Sequence, residues 1–214
     1  MTPKFRAALF DMDGTLLKTM RYWRLTTLEL LMGRDIIPTP EQMARFYTTS
    51  SRALCREVLA EYGIFMDDMA ILRELESYML PHYQRDAKIK GLAKEYLEFL
   101  KKQGVPMAVA TAAPLDFAKC ALSRLEMAHY FEFITDGYVH GINKRSPEYF
   151  HMMADMLHVE TRDMCVYEDA LYSMKSAKEA GCPVIAIFDE SQKPDWEEIK
   201  KTADICIWDY DEIM

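Results

Sequence analysis

No run of about 18 consecutive apolar residues occurs anywhere in the 214-residue chain, so no membrane-spanning helix is expected. Cysteine is sparse and irregularly placed. Cys55, Cys120, Cys165, Cys182 and Cys206 are odd in number, far apart and free of any C-x-x-C pair. That pattern argues against a disulfide framework or a zinc site and for buried thiols in a reducing compartment. Basic charge is in deficit: 26 Lys and Arg against 34 Asp and Glu leave a net charge of −8. With no basic run or one-sided stripe, nucleic acid is excluded as a partner, because such binding needs clustered cations to neutralise phosphates. The apolar stretch near the N-terminus is cut short by Asp11, too early for a secretory signal, and the chain reads as cytoplasmic. Internal repeats, Gly- and Ser-rich linkers and biased segments are missing too.

What is present is a 50% apolar and 28% charged composition, enough for a sizeable core. The length exceeds the usual domain of about 100–150 residues by enough for one core plus an insertion. A monomer is expected, since one core and one inserted block suffice.

Residues 5–11 form an apolar run without polar alternation, which suits a strand buried on both faces of a parallel sheet. Residues 17–84 change character. Leu25, Leu28 and Leu31, then Leu54, Val58 and Leu59, recur at helical spacing around Pro38 and Pro40, predicting an all-helical block. From residue 88 strands and helices alternate. Helices are expected over 91–102, 114–125 and 171–180, and from Ser146 as cap with Pro147 at the first position. Strands are expected over 105–112, 131–135, 164–167, 183–188 and 205–208. Repeated β-then-α order demands right-handed crossovers. The fold class is therefore α/β, a doubly wound parallel sheet of Rossmann-like type, with a core of residues 1–16 and 85–214 and an all-helical domain inserted at 17–84. An insert after the first strand is placed to lie over the carboxyl ends of the strands, where open α/β sheets bind ligands, and to act as a lid.

Polar groups collect at those carboxyl ends: Asp11 and Asp13 after the first strand, Thr111 after the second, Lys144 in a later loop, and Glu168-Asp169 after another strand. A carboxylate is a competent nucleophile for phosphoryl transfer. Several carboxylates repel a phosphate unless cations intervene; a hard divalent ion, Mg²⁺ above all, plus one lysine restores the balance. Asp11 and Asp13 stand at i and i+2 on an extended end, so one can attack while the other moves the leaving-group proton. Gly14 suits the turn out of the strand, where a side chain would obstruct a phosphate. Thr15 and Thr111 offer hydroxyls, and the amides of Met12, Asp13 and Ala112 can cradle phosphate oxygens. Each residue also has a plainer reading: the acids as turn or helix caps, Thr111 as a strand-edge hydroxyl, Lys144 as a solvated charge.

In order and spacing, Asp11-Met12-Asp13-Gly14-Thr15, Thr111 after an apolar strand, Lys144 followed by Pro147 and Phe150, and Tyr167-Glu168-Asp169 before Ala177-x-x-x-Gly181 resemble the four motifs of the haloacid dehalogenase-like superfamily across nearly the whole chain. The helical block resembles that family's helical cap. The resemblance implies that Asp11 is nucleophile and metal ligand, and that Asp13 is the general acid/base whose backbone carbonyl also serves Mg²⁺. It implies phosphate binding by Thr111 and Ala112, Lys144 steadying nucleophile and phosphate, Asp169 as the remaining metal ligand, and Glu168 supporting from behind.

The chain departs from the family pattern in places. Lys18 stands where many relatives carry an acidic residue, Arg145 where proline is common, and Tyr172-Ser173-Met174 where a glycine-containing turn is frequent. Lys18 hints at an anionic substrate. Asp13 and Asp169 argue against dehalogenation, leaving phosphate-ester hydrolysis or phosphosugar isomerisation. Arg52 falls where β-phosphoglucomutase-like relatives hold a second phosphate, or is solvated in the first turn of a helix. Against the mutase, segment 20–23 lacks the expected histidine, and Thr48 and Met79 occupy regions where lysines would help. Hydrolysis of a small phosphate monoester, a sugar phosphate or similar metabolite, is the favoured reading, with Trp23 as a further candidate for the pocket. His82, His129, His140, His151 and His158 share no ligand spacing and are expected to be surface or structural residues.

Overall fold

Six short strands build one parallel sheet in the computed structural model, which describes residues 5–47, 49–136 and 141–214. They are β1 (Ala7–Phe10), β2 (Met107–Thr111), β3 (Phe133–Asp136), β4 (Met164–Glu168), β5 (Val184–Ile187) and β6 (Ile205–Ile207), in the order β3-β2-β1-β4-β5-β6. Every residue of β1, β2, β4 and β5 is buried, which is why these strands read as unbroken apolar runs. Central β1 is flanked on both sides, Ala8 opposing Met107 of β2 and Cys165 of β4. The chain steps outward from β1 through β2 to β3, then returns to lay β4 on the other side of β1. The strand order thus reverses between β1 and β4, the point where open α/β sheets form a ligand crevice.

The chain divides into two compact units, Met1–Lys18 with Lys88–Met214, and Thr19–Ala87. The second unit is helical: α1 (Met20–Met32), α2 (Pro40–Ala44), α3 (Ser51–Glu61) and α4 (Asp68–Pro81), followed by a widened turn at His82–Asp86. The starts of α2, α3 and α4 are capped by side chains, whereas Thr19 at the start of α1 makes no cap bond. Thr39 and Gln42 form a reciprocal capping box, Ser50 accepts from the Ala53 amide and Asp67 from the Ala70 amide. Leu30, Leu31, Leu54, Val58, Leu59, Ile71 and Leu75 share its core.

Leu25 is exposed. The buried stripe of α1 instead runs through Tyr22, Thr26, Thr27, Leu30 and Leu31. Both threonine hydroxyls donate to the Trp23 carbonyl, so they enter the interior already satisfied.

In the sheet unit, α5 (Ala93–Lys102), α6 (Leu115–Arg124), α7 (Pro147–Met156), α8 (Leu171–Glu179) and α9 (Trp196–Thr202) follow the strands. Tyr149, Phe150 and Met153 of α7, Met174 and Ala177 of α8 and Ile199 of α9 share a core with Leu9, Ala108 and Val166 of the sheet. Ser146 occupies the cap position of α7 but makes no cap bond, its hydroxyl turning to Glu148 instead. Among the described residues no helix is long and apolar enough to cross a membrane, and all five cysteines are free.

Candidate active site

Asp11 follows β1 directly, and its amide still donates to the Tyr167 carbonyl of β4 at 2.9 Å. The chain then turns tightly. The amides of Leu16 and Leu17 both donate to the Met12 carbonyl, and the Gly14 amide donates to the Leu17 carbonyl, each at 2.9 Å. Gly14 adopts φ +92°, which strains any residue with a side chain, and a Cβ there would lie 2.3 Å from Asp169 Oδ2 and force that carboxylate to shift. From the far end of the chain Tyr210 donates its hydroxyl to the Thr15 carbonyl at 3.2 Å and pins the turn.

Beside this turn, β4 ends in Glu168 and leads into Asp169. The carboxylates of Asp11, Glu168 and Asp169 each bring an oxygen within 4.8 Å of the others, all buried. Lys144 reaches into the group, 2.7 Å from Asp11 Oδ1 and 2.6 Å from Glu168 Oε2, and also donates to the Ala110 carbonyl at 3.1 Å. Glu168 Oε1 accepts from the amides of Asp169 and Ala170, both at 3.1 Å. Its second oxygen is thereby aimed at Lys144. Thr111 ends β2 fully buried; its hydroxyl accepts from the Ala113 amide at 3.0 Å and stands 3.5 Å from Asp13 Oδ2. Ala112, next to it, is exposed.

The electrostatics follow from crowding acids in a dry place. Burial pushes the Asp11 carboxyl up to about 7, with Glu168 and Asp13 adding to the rise and Lys144 opposing it. Asp169 is held well above the usual carboxylate range, by burial first and then by Asp11, Glu168 and Asp189. Burial works against the charge on Lys144, but the carboxylates of Asp11 and Glu168 outweigh it and the ammonium keeps its proton well above the ordinary lysine range.

Asp11 Oδ2 and Asp169 Oδ2 are buried with no hydrogen-bond partner among the described residues. Buried carboxylate oxygens are costly unless something positive meets them. Two unpartnered carboxylate oxygens within a cluster of three buried acids suit a hard divalent cation of the Mg²⁺ or Ca²⁺ kind, and the donor set therefore fits such an ion. Asp11, Lys144, Glu168 and Asp169 meet in one buried cluster, and Asp13 stands beside Thr111.

A family model described as haloacid dehalogenase-like hydrolase matches residues 5–181, which takes in Asp11, Thr111, Lys144 and Asp169. The chain belongs to that family. Among similar curated proteins, validoxylamine A 7′-phosphate phosphatase of Streptomyces hygroscopicus subsp. limoneus is 28% identical over 180 residues, 83% of either chain. A phosphorylated carbohydrates phosphatase of Thermotoga maritima is 28% identical over 184 residues, covering 82% of this chain and 81% of its own. The crystal structure of a predicted phosphoglycolate phosphatase from Haemophilus somnus superposes with a TM-score of 0.82 over 100% of this chain and 98% of that one, at 18% identity. The fold is thus the Rossmann-like fold of the haloacid dehalogenase-like hydrolases.

Other residues singled out in the sequence lie elsewhere. Lys18 is exposed, its amide donating to the Lys88 carbonyl at 2.8 Å. Trp23 belongs to the helical unit, half-buried against that core. Arg52, in the first turn of α3, is exposed and stands 3.9 Å from Asp68. Met79 is buried in the helical unit, while Thr48 and His140 lie outside the described residues. His129, His151 and His158 are exposed, and His82 pairs with Asp86 at 2.7 Å. Two departures from the family pattern meet each other: the Arg145 guanidinium stacks 4.1 Å over the Tyr172 ring.

Sequence reasoning missed Lys90 and Asp189. Lys90 is buried, bonds to the Gly14 carbonyl and pairs with Asp189 at 2.9 Å. No local motif marks Lys90, because these partners lie 76 and 99 positions away.

Proposed function

We propose that the chain is a Mg²⁺-dependent phosphatase that hydrolyses a small phosphate monoester, a sugar phosphate or similar metabolite, through an aspartyl-phosphate on Asp11. The observation that carries this reading is the buried meeting of Asp11, Glu168 and Asp169 with Lys144 at the reversal point of the sheet. The names of the two curated relatives described above, both phosphatases, support the same reaction class.

In this mechanism an Asp11 carboxylate oxygen attacks phosphorus in line, and the bond to the leaving alcohol breaks. Asp13 gives its proton to the departing oxygen and becomes the base. Asp13 then takes a proton from water, whose oxygen attacks phosphorus and releases inorganic phosphate from Asp11. The Thr111 hydroxyl and the exposed backbone at Ala112 hold phosphate oxygens. Lys144 favours the ionised form of Asp11, orients it and carries positive charge to the equatorial oxygens. Mg²⁺ held by Asp11, Asp169 and the Asp13 carbonyl supplies charge neutralisation when bound. Glu168, holding Lys144 from behind, fixes where that ammonium points.

The test is release of phosphate from p-nitrophenyl phosphate with Mg²⁺ and with EDTA. Activity that depends on Mg²⁺ and disappears in Asp11→Asn supports the reading; full activity in Asp11→Asn refutes the nucleophile. Conversion of β-glucose 1-phosphate only when a bisphosphate primer is added points to the mutase instead.

A further inference from the structure

Lys90 is a buried cation for which the hydrolytic steps have no use. Its backbone is fixed from several sides. The Lys90 amide donates to the Leu16 carbonyl at 2.9 Å, Ile89 forms an antiparallel bridge with Leu17, and the Leu92 amide donates to Asp209 Oδ1 at 2.8 Å. From this anchored segment the side chain runs inward until its ammonium meets the Gly14 carbonyl and Asp189 Oδ2, the latter at 2.9 Å. Only 9% of the Lys90 side chain and 15% of Asp189 are exposed.

Gly14 is the same residue whose missing side chain makes room for the Asp169 carboxylate. One glycine thus separates the ammonium from an acid of the cation site. Burying an ion pair is expensive, and an apolar pair of similar volume often folds as well, so stability alone is a weak reason for these charges. Their field is a better one. Fixed charges near a divalent ion, screened by little water, change its binding free energy, and charges of opposite sign act in opposite directions.

We propose that Lys90 and Asp189 are a charge-balanced pair that sets the divalent-cation affinity of the site at Asp11 and Asp169, Lys90 holding it down and Asp189 holding it up. Neither touches substrate; both are positioning residues that act through Gly14 and Asp169. The inference rests on the cation site of the proposed function.

The test is Mn²⁺ binding to the full chain, followed by electron paramagnetic resonance and by displacement with Mg²⁺, in wild type, Lys90→Met, Asp189→Asn and the double variant. Lys90→Met is expected to tighten Mn²⁺ binding about three- to tenfold, Asp189→Asn to weaken it by a similar factor, and the double variant to return within about twofold of wild type. A pair serving only as structural support moves both single variants the same way, or neither, and that result overturns the proposal. Should Lys90→Met fail to fold, Lys90→Gln retains polarity at the Gly14 carbonyl and carries the same expectation. Wild type that binds no Mn²⁺ removes the cation site itself and this proposal with it. Wild type that binds Mn²⁺ and hydrolyses p-nitrophenyl phosphate while both single variants weaken binding removes this inference alone.

Discussion

Lys144 Nζ donates to Asp11 Oδ1 across 2.7 Å, joining side chains 133 positions apart in the sequence. The ammonium is shared with Glu168 at 2.6 Å, so one buried cation compensates two buried carboxylates. Removing it leaves both acids uncompensated in a site with little water, whereas removing either acid leaves the other still paired.

That asymmetry predicts different costs for the two partners. Lys144→Met should lower stability by about 3–5 kcal/mol, the typical penalty for stranding buried charge, and abolish turnover. Glu168→Gln keeps the shape and most of the hydrogen bonds and should cost less stability. Chemical denaturation of both variants checks this. A Glu168→Gln penalty equal to or larger than that of Lys144→Met contradicts it.

Gly14→Ala should act on Asp169 rather than on Asp11. A methyl group at Gly14 would sit 2.3 Å from Asp169 Oδ2, and φ +92° strains any residue with a side chain. The carboxylate must move, and displacement of about an ångström at a reacting centre typically costs about 100-fold in rate. The expected signature is weaker Mg²⁺ activation together with a fall in kcat, read from initial rates against Mg²⁺ concentration. Unchanged Mg²⁺ dependence rules out this coupling.

The acids of the site also predict how Mg²⁺ and protons compete. Without metal, burial raises Asp11 from its ordinary 3.8 to about 7, and Asp169 is raised as well. Between those pH values the folded chain binds protons that the unfolded chain has released. Its stability therefore falls as pH rises from about 4 through about 7. Mg²⁺ needs the ionised acids and replaces those protons. Thermal melting should accordingly show a larger rise in Tm on adding Mg²⁺ at pH 8 than at pH 5, by several degrees. An equal or larger rise at pH 5 contradicts it.

The parallel sheet was readable because strands covered on both faces show no polar alternation. The run ending at Asp11 and the run ending at Glu168 became β1 and β4 for that reason. Asp11, Thr111, Lys144 and Asp169 were readable because the chemistry places one of them at each of several strand ends or loops, where spacing in the chain survives into space. Lys90 and Asp189 were not: neither belongs to a local pattern, and only the long-range fold puts both beside Gly14. Leucine spacing marked α1 as a helix but not which face of it turns inward, since Thr26 and Thr27 enter the interior with their hydroxyls satisfied. Ser146 fits the residue preference of a helix cap, but its hydroxyl found a carboxylate partner in Glu148.

The most direct measurement is to quench the enzyme with acid during steady hydrolysis of p-nitrophenyl phosphate and map its peptides by mass spectrometry. A phosphoryl group on the peptide carrying Asp11, assigned to that side chain and lost in Asp11→Asn, is the expected result. A phosphoryl group on any other residue, or undiminished turnover by Asp11→Asn, would contradict it.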